Sequence, residues 1–124
     1  MKIQIIGIIM LLLLSACSTT QVPTGSAVSN GPTKDVYITA SNFAFDQNQV
    51  TINKGDHVVV HITSTEGTHG VMIPGLGLST GRISPGQEQT LEFNADKEGS
   101  FDYFCNVPCG SGHRSMRGQL VVAP

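Results

Sequence analysis

The sequence is poor in charge of either sign and contains no tryptophan. Only 13% of its 124 residues are charged, and seven Lys and Arg against nine Asp and Glu give a formal net charge of −2. A nucleic-acid-binding protein needs a basic surface, so this balance gives no support to that class. No general base, activated nucleophile or small-molecule substrate site is evident, so we predict no catalysis by this chain alone.

Long hydrophobic segments are also missing. The apolar run Ile3–Leu14 is shorter than the roughly 20 residues that a membrane-spanning helix needs, but it has the length of a signal-peptide core. It leads into Leu14-Ser15-Ala16-Cys17, which resembles the bacterial lipobox, where cleavage leaves the cysteine N-terminal and lipid-modified. We therefore predict a lipoprotein signal peptide over residues 1–16 and a lipid anchor at Cys17. The mature protein would be exported and membrane-bound, facing the periplasm or the cell exterior.

Cysteine is scarce, and its odd count needs an explanation in an exported protein. The chain has three cysteines. With Cys17 assigned to lipid, Cys105 and Cys109 remain as a pair. Residues 17–33 are rich in Ser, Thr, Gly and Pro and predict a lipidated N-terminus with a flexible tether. Residues 34–124 then form the folded domain.

The folded part carries the pattern of short β-strands. Apolar residues alternate with polar ones in segments separated by Gly, Asn, Asp and Pro about every ten residues, and no segment has a convincing helical pattern. The predicted strands are residues 36–40, 43–45, 50–52, 57–63, 71–73, 90–94, 100–104 and 118–122, with a long loop over 74–86. This pattern predicts an all-β fold, an antiparallel β-sandwich. A core this small is marginal, so a metal joining its loops should stabilise it.

One segment concentrates side chains that bind soft metals. Its four candidate ligands, in the spacing Cys-x3-Cys-x3-His-x2-Met, are Cys105, Cys109, His113 and Met116. Thiolate, imidazole and thioether donors suit copper rather than magnesium or calcium. The proline and glycines of the segment disfavour a helix, so we predict a loop between two strands.

The histidines differ in how well they are placed to join this loop. His57 and His61 lie four residues apart on one predicted strand, about 13 Å at the usual rise, and cannot chelate one ion. They share the face opposite Val58, Val60 and Ile62, so we expect solvated side chains. His69 instead lies in a Gly- and Thr-rich loop at a strand end and is predicted to be a ligand.

Two copper sites fit these residues. A mononuclear blue-copper site would use His69, Cys109, His113 and Met116, leaving Cys105 unused. A dinuclear site would share both thiolates between two coppers, each with one imidazole, with Met116 and a backbone carbonyl as weak donors. A Cys105–Cys109 disulfide, a structural zinc site and a purely packing role for Met116 are further interpretations. Copper delivery or storage is the alternative to electron transfer.

The motif is similar to that of a known family. Cys105, Cys109-Gly110, His113, Met116 and Gly118 resemble the dinuclear CuA domain of cytochrome c oxidase subunit II, and the order His69…Ile73-Pro74-Gly75-Leu76-Gly77 resembles its upstream part. The resemblance implies a cupredoxin Greek-key β-barrel holding two copper ions. It implies electron transfer between a cytochrome c and a membrane terminal oxidase or reductase. It also implies that Val107 donates its backbone carbonyl to a copper.

The sequence departs from that family in three respects. Many members carry a glutamate at the position of Val107 that reaches a magnesium site, which a valine cannot do. The family's paired transmembrane helices and its tryptophan-rich surface for accepting electrons have no counterpart here. We therefore expect a free-standing, lipid-tethered CuA protein. An apolar shell that excludes water and offers a docking patch is predicted from Met72, Leu76, Leu78 and Phe104.

Overall fold

The computed structural model describes residues 31–124, whose regular secondary structure is almost entirely β-strand. The strands are β1 Thr33–Ser41, β2 Ala44–Phe45, β3 Gln49–Asn53, β4 His57–Ser64, β5 Met72–Ile73, β6 Leu78–Ser79, β7 Glu88–Asn94, β8 Gly99–Phe104 and β9 Arg117–Ala123. Two short 3₁₀ turns cover Pro74–Leu76 and His113–Ser115. Among these residues no helix is long and apolar enough to cross a membrane. The predicted signal peptide, Cys17 and most of the tether lie outside the described residues.

The strands form two sheets that enclose one core. One sheet has the order β2-β1-β4-β7 and the other the order β3-β9-β8-β5-β6. The predicted all-β class is confirmed, but a purely antiparallel arrangement is wrong, because β1 pairs with β4 and β3 with β9 in parallel. Alternation along a strand identifies its buried face but not its neighbour or their relative direction.

The core follows from strict alternation along β4. Val58, Val60 and Ile62 have no exposed surface, while the alternating residues His57, Val59 and His61 are partly exposed on the outer face. Below the site, Tyr103 of β8 is also fully buried. Its hydroxyl donates a hydrogen bond to the Gln47 carbonyl, and burial raises its pKa to about 12. This bond ties β8 to the β2–β3 connection.

Two predicted segment boundaries need correction. β1 begins at Thr33, one residue inside the predicted tether, and the Pro32 carbonyl accepts a hydrogen bond from the backbone of His57. The loop predicted over residues 74–86 contains a 3₁₀ turn and β6. A two-residue strand such as β6 is defined by its pairing with β5, which no alternation within so short a segment can reveal.

The topology brings two loops to the same end of the sandwich. β4 ends at Ser64, β8 ends at Phe104, and β9, antiparallel to β8, begins at Arg117. The loop after β4 carries His69, whose backbone forms an isolated bridge with Ile83. The loop between β8 and β9 carries the cysteines. His69 thus faces the cysteine loop from the connection that leads from one sheet to the other.

Candidate metal centre

The segment between β8 and β9 is the predicted loop, closed at its base by the main chain. The Cys105 amide donates to the Met116 carbonyl at 3.1 Å. The 3₁₀ turn His113–Ser115 tightens the second half of the loop, and the Met116 amide donates to the His113 carbonyl at 3.3 Å. The turn shortens the path between Cys109 and Met116, so both side chains can face the same point.

All five candidate ligand side chains meet at that point. The Cys105 and Cys109 sulfurs are 3.9 Å apart. The His69 Nδ1 lies 3.9 Å from the Cys105 sulfur, and the His113 Nδ1 lies 3.6 Å from the Cys109 sulfur. The Met116 sulfur is 3.6 Å from that of Cys109. Each thiol therefore has one imidazole of its own.

The Val107 carbonyl also faces the cluster. The Cys105 thiol donates to this oxygen at 3.2 Å, and the valine side chain is buried beneath the loop. A carbonyl oxygen so close to a candidate ligand sulfur is available as a weak donor to a metal held by that sulfur. The valine side chain itself carries no group that could reach a magnesium ion.

His69 is held in one orientation and one tautomer. Its ring is completely buried, and its Nε2 donates a hydrogen bond to the Glu66 carbonyl at 2.7 Å. Its backbone exchanges two hydrogen bonds with Ile83, at 3.1 and 2.8 Å. With the proton on Nε2, the Nδ1 lone pair faces Cys105. A backbone carbonyl that fixes the second ring nitrogen is the usual support of a metal-binding histidine.

The donor set is largely shielded from water. His69, Cys105 and Met116 are buried, while Cys109 and His113 are half-buried. Burial and the neighbouring Cys105 thiol raise the pKa of Cys109 to about 11. Within residues 31–124, the His69, Cys105 and Cys109 donor atoms all lie within 4.8 Å of one another. Such a compact, soft donor set fits copper, which would displace the thiol protons on binding.

His57 and His61 are not part of this cluster. His61 is hydrogen-bonded to Glu88 at 3.0 Å and to Asp35 at 3.1 Å, and its ring stacks on Tyr37 with centroids 4.7 Å apart. His57 is hydrogen-bonded to Asn94 at 2.9 Å. Both lie on the outer sheet face as predicted. The expectation of simply solvated rings is wrong, because neighbouring strands supply partners for both.

The predicted apolar shell is only partly as expected. Met72 and Phe104 line an open cavity of about 390 Å³ beside Cys105 and His113. Leu76 and Leu78 are instead partly buried against the main core. Leu76 ends the 3₁₀ turn, and Leu78 lies in β6, where it pairs with Ile73 of β5.

Sequence reasoning missed Phe43, which supports the metal-binding loop from the β1–β2 connection. A Cβ atom built on Gly110 would come within 2.8 Å of the Phe43 ring, and one built on Gly112 would overlap the same side chain. Phe43 alternates with Phe45 in the sequence and therefore resembles an ordinary strand residue. The only sequence signal was the pair of loop glycines, which permits close approach without identifying the partner.

Comparisons with known proteins agree with this fold. The sequence matches the cupredoxin-like domain family over residues 5–122. It is 31% identical over 101 residues to cytochrome c oxidase subunit 2 of Thermus thermophilus, covering 81% of this chain and 74% of that protein. It is 34% identical over 101 residues to nitrous-oxide reductase of Stutzerimonas stutzeri, covering 78% of this chain but 16% of the reductase.

A solved structure extends the comparison. The chain superposes on a heme-copper terminal oxidase dimer, solved by cryo-electron microscopy, with a TM-score of 0.68 and 26% identity, covering 77% of this chain and 67% of that one. The family match and the subunit 2 alignment each span most of the chain. The chain therefore belongs to the cupredoxin-like domain family and is homologous to cytochrome c oxidase subunit 2.

Proposed function

We propose that this protein is an electron-transfer protein with a dinuclear CuA copper centre. The observation that carries the proposal is the pairing of two thiols 3.9 Å apart, each beside a different imidazole nitrogen. A mononuclear centre needs one thiolate, whereas here the second sulfur is buried and directed at the same point. Two bridging thiolates with one terminal imidazole for each metal use every strong donor in the cluster.

In this proposal Cys105 and Cys109 would hold both copper ions through their thiolates, and His69 and His113 would each supply one imidazole. Met116 and the Val107 carbonyl would be weaker donors. When bound, a copper pair sharing two thiolates spreads a one-electron change over both metals, so each bond changes little. The chain contributes rigidity, because the Glu66 carbonyl fixes the His69 ring and the Cys105–Met116 backbone bond holds the loop closed.

The partners are proposed from the homologues. One is a cytochrome c oxidase subunit and another a nitrous-oxide reductase, so we propose that electrons pass between a cytochrome c and a membrane terminal oxidase or reductase. In a cytochrome c oxidase-type complex the chain would serve as the electron-entry component, without catalysis of its own.

We further propose a periplasmic or extracellular location with lipid attachment at Cys17, supported by the lipobox-like sequence. If Cys17→Ser releases the protein from salt-washed membranes, the anchor is supported. Equal membrane retention of the variant would contradict it.

The deciding experiment is a copper count with an absorption and electron paramagnetic resonance spectrum of the copper-loaded protein. Two coppers per chain, a purple oxidised form and an unpaired electron shared by both metals are expected. One copper with a blue-protein spectrum would contradict the dinuclear centre.

A mononuclear carrier is the second candidate, and one observation favours it. The Cys109 sulfur has the His113 nitrogen and the Met116 sulfur both at 3.6 Å. With His69 these residues form the His₂Cys set with an axial methionine that is typical of blue copper proteins. The same copper count separates the two candidates.

A further inference from the structure

The cavity beside the metal centre connects the candidate ligands with the protein surface. Cys105 and His113 contribute to its wall, so an electron leaving the centre by this route has a short path to a molecule seated there. The remaining lining residues are Met72, Phe104, Asn106, Arg114 and Arg117. We call these residues the cavity surface. Met72 and Phe104 supply its apolar part, which we call the floor; Asn106 adds an amide, and the exposed Arg114 and Arg117 form its rim.

One of the two rim arginines, Arg117, is held in place over this floor. The Arg117 guanidinium lies 5.8 Å from the centre of the Phe104 ring, a cation–π distance. The Arg117 Nε donates to the Arg114 carbonyl at 3.1 Å. Both arginines are exposed, so their charge is accessible to a partner.

Within the described residues, neither of these arginines forms an ion pair with a carboxylate. The ion pairs found in residues 31–124 join Lys54 to Glu98, His57 to Glu92, and His61 to Asp35 and Glu88. Residues 1–30 contain no Asp or Glu at all. Asp102, the acidic residue beside the Phe104–Arg117 pair of β8 and β9, accepts a hydrogen bond from the Gln119 side chain at 3.3 Å.

The positive charges of the domain are divided between its two ends. All its arginines, Arg82, Arg114 and Arg117, lie in or beside the loops at the metal end. The lysines of the folded part, Lys34, Lys54 and Lys97, lie near the start of β4, the end of β3 and the start of β8, at the opposite end. The protein carries a net negative charge, but it can therefore still present a positive face beside its metal centre.

We infer that the cavity surface docks a redox protein whose own contact face is acidic and surrounds an apolar centre. This inference rests on the proposed electron-transfer function. Guanidinium groups pair with carboxylates in a bidentate geometry, and exposed charges of this kind steer encounter more than they add affinity. An anionic membrane would also attract the arginines. The concave apolar floor leading to Cys105 and His113 favours a protruding protein surface over a flat headgroup layer.

The test is stopped-flow electron transfer between the copper-loaded full chain and two small soluble c-type cytochromes, one with net negative and one with net positive charge. The acidic cytochrome should react faster, and its rate should fall as ionic strength rises. The double variant Arg114→Glu with Arg117→Glu should slow electron transfer with the acidic cytochrome at least about tenfold at low salt. It should speed electron transfer with the basic cytochrome. Arg114→Gln with Arg117→Gln should give an intermediate loss.

The matched control, Lys34→Glu with Lys97→Glu, applies the same charge change at the opposite end of the domain. Its electron-transfer rates with both cytochromes should stay within about twofold of the wild-type rates. Direct electrochemistry and the oxidised spectrum verify that the centre of each variant still cycles. A wild-type centre that does not cycle between its redox states contradicts the proposed function. A cycling centre that prefers the basic cytochrome, or ignores the arginine changes, overturns this inference alone. Arginine-dependent binding to vesicles of anionic phospholipid, without discrimination between the cytochromes, overturns it in favour of a membrane.

Discussion

At the scale of single residues, the two cysteines are close but not equivalent. Cys105 is buried and lies beside His69 and the Val107 carbonyl, whereas Cys109 is half-buried and lies beside His113 and Met116. Removal of Cys105 therefore leaves a different set of donor atoms from removal of Cys109. In the proposed dinuclear centre, the remainder after loss of Cys105 is a complete mononuclear donor set.

Cys105→Ser is expected to convert the centre instead of emptying it. A serine hydroxyl is a hard, neutral donor and a poor bridge, so the copper count should fall from two to one. His69, Cys109, His113 and Met116 would remain as a mononuclear blue-copper set. Copper analysis and electron paramagnetic resonance should detect one copper with its unpaired electron on one metal.

Cys109→Ser is the matched comparison for that variant. It removes the sulfur that lies within 3.6 Å of both His113 and Met116, so copper binding should be weaker than in Cys105→Ser. Retention of two coppers with a shared electron in Cys105→Ser would show that Cys105 is not a bridge.

At the scale of elements, the metal-binding loop depends on a neighbouring segment. Phe43, from the connection between β1 and β2, occupies the space that side chains at Gly110 and Gly112 would need. Gly112 has φ of −92°, which any residue adopts, so its requirement for glycine is steric. The loop can follow its path only because these positions have no Cβ.

Gly112→Ala should therefore disturb the loop by overlap with Phe43. We expect a loss of about 1–3 kcal/mol in the free energy of unfolding of the metal-free protein, the usual range for overpacking. An altered copper spectrum should accompany it. Urea denaturation and absorption spectroscopy measure the two effects. Gly81→Ala is the control, because its Cβ would meet Gln89 at 3.5 Å, an ordinary contact. Equal effects of both substitutions would exclude Phe43 packing as the cause.

A second element-scale feature is the bridge that His61 makes between three strands. His61 of β4 is hydrogen-bonded to Glu88 of β7 and to Asp35 of β1. The Glu88 bond, then the Asp35 bond, raise the His61 pKa above its ordinary value of 6.5. A raised pKa in the folded state means that the protonated ring stabilises the fold below about pH 6.5. This contribution is lost as the pH rises through the higher folded-state value.

His61→Gln should remove this pH dependence. We measure the free energy of unfolding of the chelator-treated proteins by urea denaturation at pH 6 and pH 9. The free energy of wild type should exceed that of the variant by more at pH 6 than at pH 9. Groups that titrate alike in both proteins cancel in that difference. A difference that is the same at both pH values, or larger at pH 9, would contradict a bridge by the charged ring.

Some elements could be predicted from the sequence and others could not, and the reasons are physical. β4 and the loop after β8 were predictable, because strict alternation identifies a buried face and a proline with several glycines excludes a helix. The parallel pairing of β1 with β4 was not, since strand neighbours depend on contacts distant in sequence. The meeting of His69 with Cys105 could be expected from its loop position. The Glu66 carbonyl and Phe43 could not, because neither a backbone carbonyl nor a lone aromatic residue carries a metal-site signature.

At the scale of the whole molecule, the candidate centre joins parts of the chain that belong to different sheets. His69 lies on the connection from β4 of the four-stranded sheet to β5 of the five-stranded sheet, while the other ligands lie between β8 and β9. A metal held by both loops therefore constrains the two sheets at one end. The described part of the chain is small, so a modest free energy of metal binding is a large share of its stability.

Copper loading should therefore raise the thermal stability of the protein substantially. A ligand that binds only the folded state at one hundred times its dissociation constant adds about 2.7 kcal/mol. For a domain of this size that corresponds to a rise in Tm of about 10–20 °C. Calorimetry of the chelator-treated and copper-loaded forms measures it. His69→Ala should reduce the rise, because it removes the only candidate ligand on the loop between the sheets, while His57→Ala on the outer face should retain it. If copper raised the Tm of His69→Ala as much as that of wild type, the metal would not join the two loops.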